Sequence, residues 1–274
     1  MSLRRVLPSL LAAATAALVG GCVTISPEQE VAMGRDYADQ INAELPLLEE
    51  PAIRGTIQTL GREIADHTPR ADLDYEFQVP NTDVVNAFAV PGGFVYVNRG
   101  LIEASENMTE VAGVLGHEIG HVVARHSVKQ LEQLQRANLG LALGTVVLGA
   151  PTGVTAAAIN ITGNLYFAKH SRTAEAEADS LAVFFLIDSG WDPRGLVTFF
   201  DKLIRTRESR PGALEALFTS HPLAEDRIEN IERIISRIPP ERLAGLRTSE
   251  PAYDRMTDAL AALPPPPAKY RVNE

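Results

Sequence analysis

One pentapeptide, His117-Glu118-Ile119-Gly120-His121, carries the most directly readable chemistry in this chain. On a helix, residues four apart share a face, so His117 and His121 can aim imidazole nitrogens at a single metal ion. Glu118 is turned roughly 100° from His117, which lets its carboxylate reach a water on that ion without taking a ligand position. The flanks Val111, Val114, Leu115, Ile119, Val122 and Val123 predict that this helix is buried. Two unpaired imidazoles and a carboxylate are costly to desolvate there, and a metal removes the conflict. The metzincin extension of the pattern would need Gly at 124 and His at 127, but the chain has Ala124 and Ser127, and His126 misses by one place. The third ligand must come from elsewhere.

Glu175-Ala176-Glu177-Ala178-Asp179 offers it. Glu175 and Asp179 are one helical turn apart, so Glu175 can ligate while Asp179 accepts the free N–H of a ligand histidine. Two His, one Glu and an open position for water form the catalytic pattern for zinc, whereas structural zinc is closed by four protein ligands. A Cys-based zinc cluster and an intrachain disulfide are both excluded, because the chain has a single Cys. A zinc-stabilised structural domain would leave Glu118 unexplained.

The elements that must hold these residues are legible as an α+β domain, mostly helical with a small antiparallel sheet. Asn107 with Glu110 makes an N-cap pair for the helix that carries the two histidines. Ser26, Pro27 and Gln29 read as a capping box on a first helix, and Ile53, Ile57, Leu60 and Ile64 give a second helix its apolar stripe. Tyr75, Phe77 and Val79 alternate with polar residues as a half-buried strand, with Val84 to Ala89 and Phe94 to Val97 as further strands joined by the turn Pro91-Gly92-Gly93. Gly190 closes the helix after the acidic cluster, Asp192-Pro193 opens another, and Ile228 to Ile238 mark a final apolar face. Pro222 fits a first helical position, which would make His221 the N-cap of that last helix. His67, His126 and His170 have no partner pattern and read as structural or surface residues.

Several separate stretches resemble the gluzincin metallopeptidases of peptidase family forty-eight: Asn86-Ala87-Phe88-Ala89 with Pro91-Gly92-Gly93, Gly100-Leu101, Glu110 to His126, Ser171-Arg172 with Glu175 to Asp179, and His221-Pro222 with Arg227. The resemblance covers roughly Ser26 to Ile238 and implies a zincin-type domain. It implies one zinc per chain held by His117, His121 and Glu175, with Glu118 as general base. It also carries His221 and Arg227 toward the cleft. There His221 would either donate to the oxyanion, the favoured role, or close the open metal position at rest, and Arg227 would support it or bind a substrate carbonyl. Asn86, Ala87, Phe88, Pro91, Gly92 and Gly93 would form the edge or loop that receives an extended substrate. Compared with larger members, the chain reads as a compact catalytic domain, with neither the membrane spans of the prenyl endopeptidase nor a following tetratricopeptide repeat expected.

Composition bounds the setting. With 274 residues, 45% hydrophobic and 22% charged, the chain is neither disordered, collagen-like nor a multi-span membrane protein. Its net charge of −10 repels nucleic acid and anionic surfaces. Arg4 and Arg5 precede the apolar run Val6 to Leu18, which ends in Val19-Gly20-Gly21-Cys22 and resembles a lipoprotein signal over residues 1–21. Cys22 would then be lipidated, with two acyl chains anchoring the domain of residues 22–250. Val23 rather than Asp after that Cys points to the periplasmic face of the outer membrane. The Gly-interrupted stretch Ala137 to Ile161 reads as a buried hairpin or lid, and residues 251–274, with Pro264 to Pro267, as a flexible tail. The expected activity is hydrolysis of unfolded or damaged envelope polypeptides. A chaperone or assembly factor for outer-membrane proteins with an idle zinc site is the alternative.

Overall fold

The computed structural model describes residues 24–148, 170–207, 211–222 and 225–272. The expected signal and Cys22 lie outside these residues, as do positions 149–161 of the Gly-rich stretch. Among the described residues, no helix is long and apolar enough to cross a membrane.

The described residues are mostly helical, with one small sheet among them. In order they form α1 (Pro27–Glu44), α2 (Pro51–Ala65), β1 (Glu76–Gln78), β2 (Ala87–Val90), β3 (Phe94–Val97), α3 (Arg99–Ala104) and α4 (Met108–Val123). Then follow α5 (His126–Leu148), α6 (Arg172–Asp188), α7 (Arg194–Thr206), α8 (Pro211–Ser220), α9 (Glu225–Ile235), α10 (Pro240–Leu243) and α11 (Pro251–Ala262). The α1 capping box is present as read, with both the Ser26 side chain and the Gln29 side chain engaged.

Helix α4 is the central element. Asn107 Oδ1 accepts the Glu110 amide at 3.1 Å, and Glu110 Oε2 accepts the Glu106 amide at 2.9 Å, which fixes the helix start. Every residue from Met108 to Val122 is buried. It packs against α6, α7, α2 and the sheet. Two glycines permit the close approach of its neighbours: a Cβ on Gly113 would lie 2.8 Å from the Leu196 amide nitrogen of α7, and one on Gly120 would lie 2.9 Å from the Ala178 carbonyl of α6.

The main core joins Ile53, Ile57, Leu60 and Ile64 of α2 to Phe77, Val95 and Val97 of the sheet, to Leu115 and Ile119 of α4, and to Leu186, Leu196 and Phe199 beyond. Tyr37, Ala38 and Ile41 of α1 cover the other face of the sheet, over Phe88, Val90, Phe94 and Tyr96.

Three expectations are corrected. The sheet has the order β1-β3-β2 and is mixed: β2 and β3 form the antiparallel hairpin, but β1 runs parallel to β3. Residues 79–86 carry the chain across to the far edge of β3, so only part of the stretch from Val84 becomes strand. The tail is not free. Helix α11 buries Tyr253, Met256 and Leu260 against α2 and α3, and Arg99 Nη1 donates to the Pro264 carbonyl at 2.7 Å. Beyond it, Thr82 Oγ1 donates to the Tyr270 carbonyl at 2.7 Å and the Val272 amide to Asp83 Oδ1 at 2.8 Å. Finally, His221 does not cap α9. It follows α8, and its amide donates to the Leu217 carbonyl at 2.8 Å, continuing the helical hydrogen bonding by one residue.

Candidate metal centre

The i, i+4 spacing on α4 sets His117 and His121 side by side, with Nε2 atoms 3.0 Å apart. Helix α6 approaches across Gly120. Its N-cap Ser171 accepts the Ala174 amide at 3.1 Å, and this places Glu175 in the first turn. The Glu175 carboxylate lies 3.5 Å from His117 Nε2 and 3.4 Å from His121 Nε2. His221, delivered from the end of α8, puts Nδ1 3.3 Å from His117 Nε2 and 3.1 Å from Glu175 Oε1. The four donor atoms lie within 4.8 Å of one another, and all four side chains are buried.

These residues fit a zinc ion. His117 Nδ1 lies 2.9 Å from Asp179 Oδ1, so the carboxylate favours a proton on that nitrogen and leaves Nε2 its lone pair for the cluster. Imidazole lone pairs converging at about 3 Å repel one another unless a cation sits between them, and borderline-soft nitrogen with one carboxylate is a zinc donor set. Among the described residues this is the one cluster of its kind.

Arg227 braces the carboxylates from α9. Its Nε and Nη2 donate to Asp179 at 2.8 and 2.6 Å, Nη1 pairs with Glu175 at 2.7 Å, and the guanidinium stacks over Phe200 at 4.7 Å. Its donors are thereby directed into the protein's own carboxylates rather than toward a substrate carbonyl. Burial alone would raise Asp179, but Arg227 and His117 outweigh it and hold the carboxyl below its usual range. Burial likewise opposes ionisation of Glu175, and the surrounding imidazoles reverse that and hold it far below the carboxylate range. Burial also pushes His121 well below the usual imidazole value, keeping it neutral as a ligand must be.

Glu118 is buried next to the donors, with Oε1 3.5 Å from His221 Nε2. Val114, Phe199, Phe200 and Leu217 form an apolar wall beside it. Of the residues expected at a substrate edge, Ala87 and Phe88 lie on β2, one of the two edge strands of the sheet, which packs on α4. Phe88 points inward, stacked on Tyr96 with centroids 4.7 Å apart. Asn86 is buried, with its carbonyl accepting the Asn98 amide at 3.0 Å. The turn Pro91-Gly92-Gly93 packs under α1, where Pro91 abuts Gly34 and Gly92 abuts Val31, and both glycines take positive φ, 83° and 97°.

Two histidines read as structural or surface stand at the centre instead. The His170 ring lies 4.0 Å from that of His121, and burial pushes its pKa down to about 3. His126 Nδ1 lies 2.9 Å from His121 Nδ1. Helical spacing could not reveal His126, because α4 has ended and Arg125 takes φ 56° before it, reversing the chain. For His170 the available signal was its place directly before the Ser171 cap of the ligand helix.

Residues 51–235 match the model of Peptidase family M48. The beta-barrel assembly-enhancing protease of Escherichia coli (strain K12) is 32% identical over 226 residues, which cover 79% of this chain and 46% of that protein. The mitochondrial metalloendopeptidase OMA1 of Arabidopsis thaliana is 31% identical over 220 residues, 79% of this chain and 44% of that protein. Metalloprotease YcaL of Escherichia coli (strain K12) is 32% identical over 166 residues, 58% of this chain and 62% of that protein. The chain spans about half the length of the first two of these relatives. The family match takes in α4, α6 and His221, so the stretch that builds the buried donor cluster is the stretch that is shared, and the chain belongs to peptidase family M48, a family of zinc metallopeptidases.

Proposed function

We propose that the chain is a zinc-dependent endopeptidase of the bacterial envelope that hydrolyses unfolded or damaged polypeptides. The observation that carries this reading is the convergence of His117, His121 and Glu175 in a buried site with the Glu118 carboxylate alongside. Zinc, when bound, supplies a Lewis acid that acidifies water and polarises a peptide carbonyl. Glu118 takes the proton of the attacking water and passes it to the leaving amine. Asp179 and Arg227 hold His117 and Glu175 in place, and the wall of Phe199 and Phe200 helps to keep bulk water out. Strand β2 offers an extended peptide main-chain pairing, which favours unfolded chains over particular sequences.

The name of the Escherichia coli relative, a beta-barrel assembly-enhancing protease, supports clients of the outer-membrane β-barrel kind. The lipoprotein-like run before Cys22 supports an anchor on the periplasmic face of the outer membrane. Purified chain should cleave unfolded casein, lose that activity to a chelator and regain it with zinc. Glu118→Gln should keep zinc and fold while turnover drops by about 10²–10⁴-fold, since an amide cannot accept the water's proton. Wild-type turnover in that variant removes Glu118 from its role. For the anchor, Cys22→Ser should abolish incorporation of radiolabelled palmitate, and retained label sinks the lipid reading.

A further inference from the structure

His126 is a buried histidine that the chemistry above does not use. Its position follows from the backbone. Arg125, in the left-handed region, is pinned by its Nε on Glu30 Oε2 at 2.7 Å and its Nη2 on the Ile25 carbonyl at 2.7 Å. The reversal turns the first side chain of α5 back onto the last turn of α4. There His126 Nδ1 lies 2.9 Å from His121 Nδ1, and His126 Nε2 lies 3.2 Å from Glu177 Oε2.

The geometry orders the protons. Two ring nitrogens at 2.9 Å must share one hydrogen, with one donating and the other accepting. The remaining nitrogen of His121, Nε2, points into the donor cluster 3.4 Å from Glu175 Oε1, so it carries no hydrogen when it ligates. Neutral His121 therefore has its hydrogen on Nδ1 and donates it to His126. His126 then carries its own hydrogen on Nε2 and donates to Glu177. We infer that His126, backed by Glu177, is a positioning residue for the ligand His121, as Asp179 backed by Arg227 is for His117, a role that rests on the zinc reading above. Helix α6 would then supply through Glu175, Glu177 and Asp179 one ligand and a carboxylate behind each ligand histidine, one acting directly and the other through His126. Partners of this kind fix a ligand's tautomer and ring orientation, and their loss typically weakens metal affinity by about 10–100-fold.

The test is the zinc dissociation constant of the full chain, by competition with a chromogenic chelator, together with the visible spectrum after cobalt substitution. His126→Ala and His126→Leu should bind zinc about 10–100-fold more weakly and shift the cobalt bands. His126→Asn, whose Oδ1 presents an acceptor near the place of Nδ1, should restore affinity to within a few-fold of wild type. Glu177→Gln should produce a smaller loss than His126→Ala. Circular dichroism melts of the zinc-free variants separate lost binding from lost folding. A folded His126→Leu that holds zinc as tightly as wild type overturns the inference, and so does a folded His126→Asn that falls as far as His126→Ala. A wild-type chain that binds no zinc overturns the zinc reading itself.

Discussion

His221 stands among the donor atoms, a position that favours the second of its two expected roles. Sequence reasoning favours an oxyanion donor on a helix start, whereas the folded chain brings its Nδ1 into the donor cluster at 3.1 Å from Glu175. A fourth protein donor closes a zinc site of the structural type. The expected outcome for folded, zinc-loaded His221→Ala is therefore a rise in basal casein cleavage, measured as kcat, and a fall of about a hundredfold or more would return His221 to the donor role. Arg227 sits under the same cluster, and its three nitrogen donors engage two buried carboxylates. Removing one partner of a buried ion pair leaves uncompensated charge and costs about 3–5 kcal/mol. Arg227→Leu should lose stability on that scale in urea unfolding of the zinc-free chain. An unchanged midpoint would show that Asp179 and Glu175 do not need it.

At the scale of elements, the distance between α4 and α6 determines whether Glu175 reaches the histidines. Gly120 sets that distance, since a side chain there would meet the Ala178 carbonyl at 2.9 Å, a backbone atom that cannot swing aside. Gly120→Ala should cost about 1–3 kcal/mol from overpacking and weaken zinc binding as α6 is displaced. Calorimetry of zinc binding beside thermal melts checks both, and a variant with wild-type affinity would show that α6 has room to spare. The ligand pairs themselves were legible because each lies within one helix: His117 with His121, and Glu175 with Asp179, follow from a period of 3.6 residues. The parallel pairing of β1 with β3 was not legible, because strands that follow one another closely are expected to be neighbours, and residues 79–86 instead carry the chain past β3.

Across the whole molecule, the C-terminal segment shows how a composition-based reading fails. Its prolines suggest a free tail, yet Met256 and Leu260 are almost fully buried, and α11 closes the outer face of α2. Met256→Ala should lower stability by about 2–5 kcal/mol, read from a chemical denaturation curve. No change would mean that α11 is dispensable to the core. What the sequence by itself determined is the local chemistry: the paired histidines, the acidic cluster, the capping box, the N-cap pair and the apolar stripes are all set by spacings of three or four residues. Only the tertiary structure decided how distant stretches meet. It brought His221 and Arg227 to Glu175 and Asp179, swung His126 back through Arg125, drew His170 against His121 and strapped the tail onto α2 and α3. The physical reason is that periodicity fixes which side chains share a face of one element. Contacts between elements depend instead on turns, close glycine approaches and buried ion pairs, whose partners lie tens of residues apart along the chain.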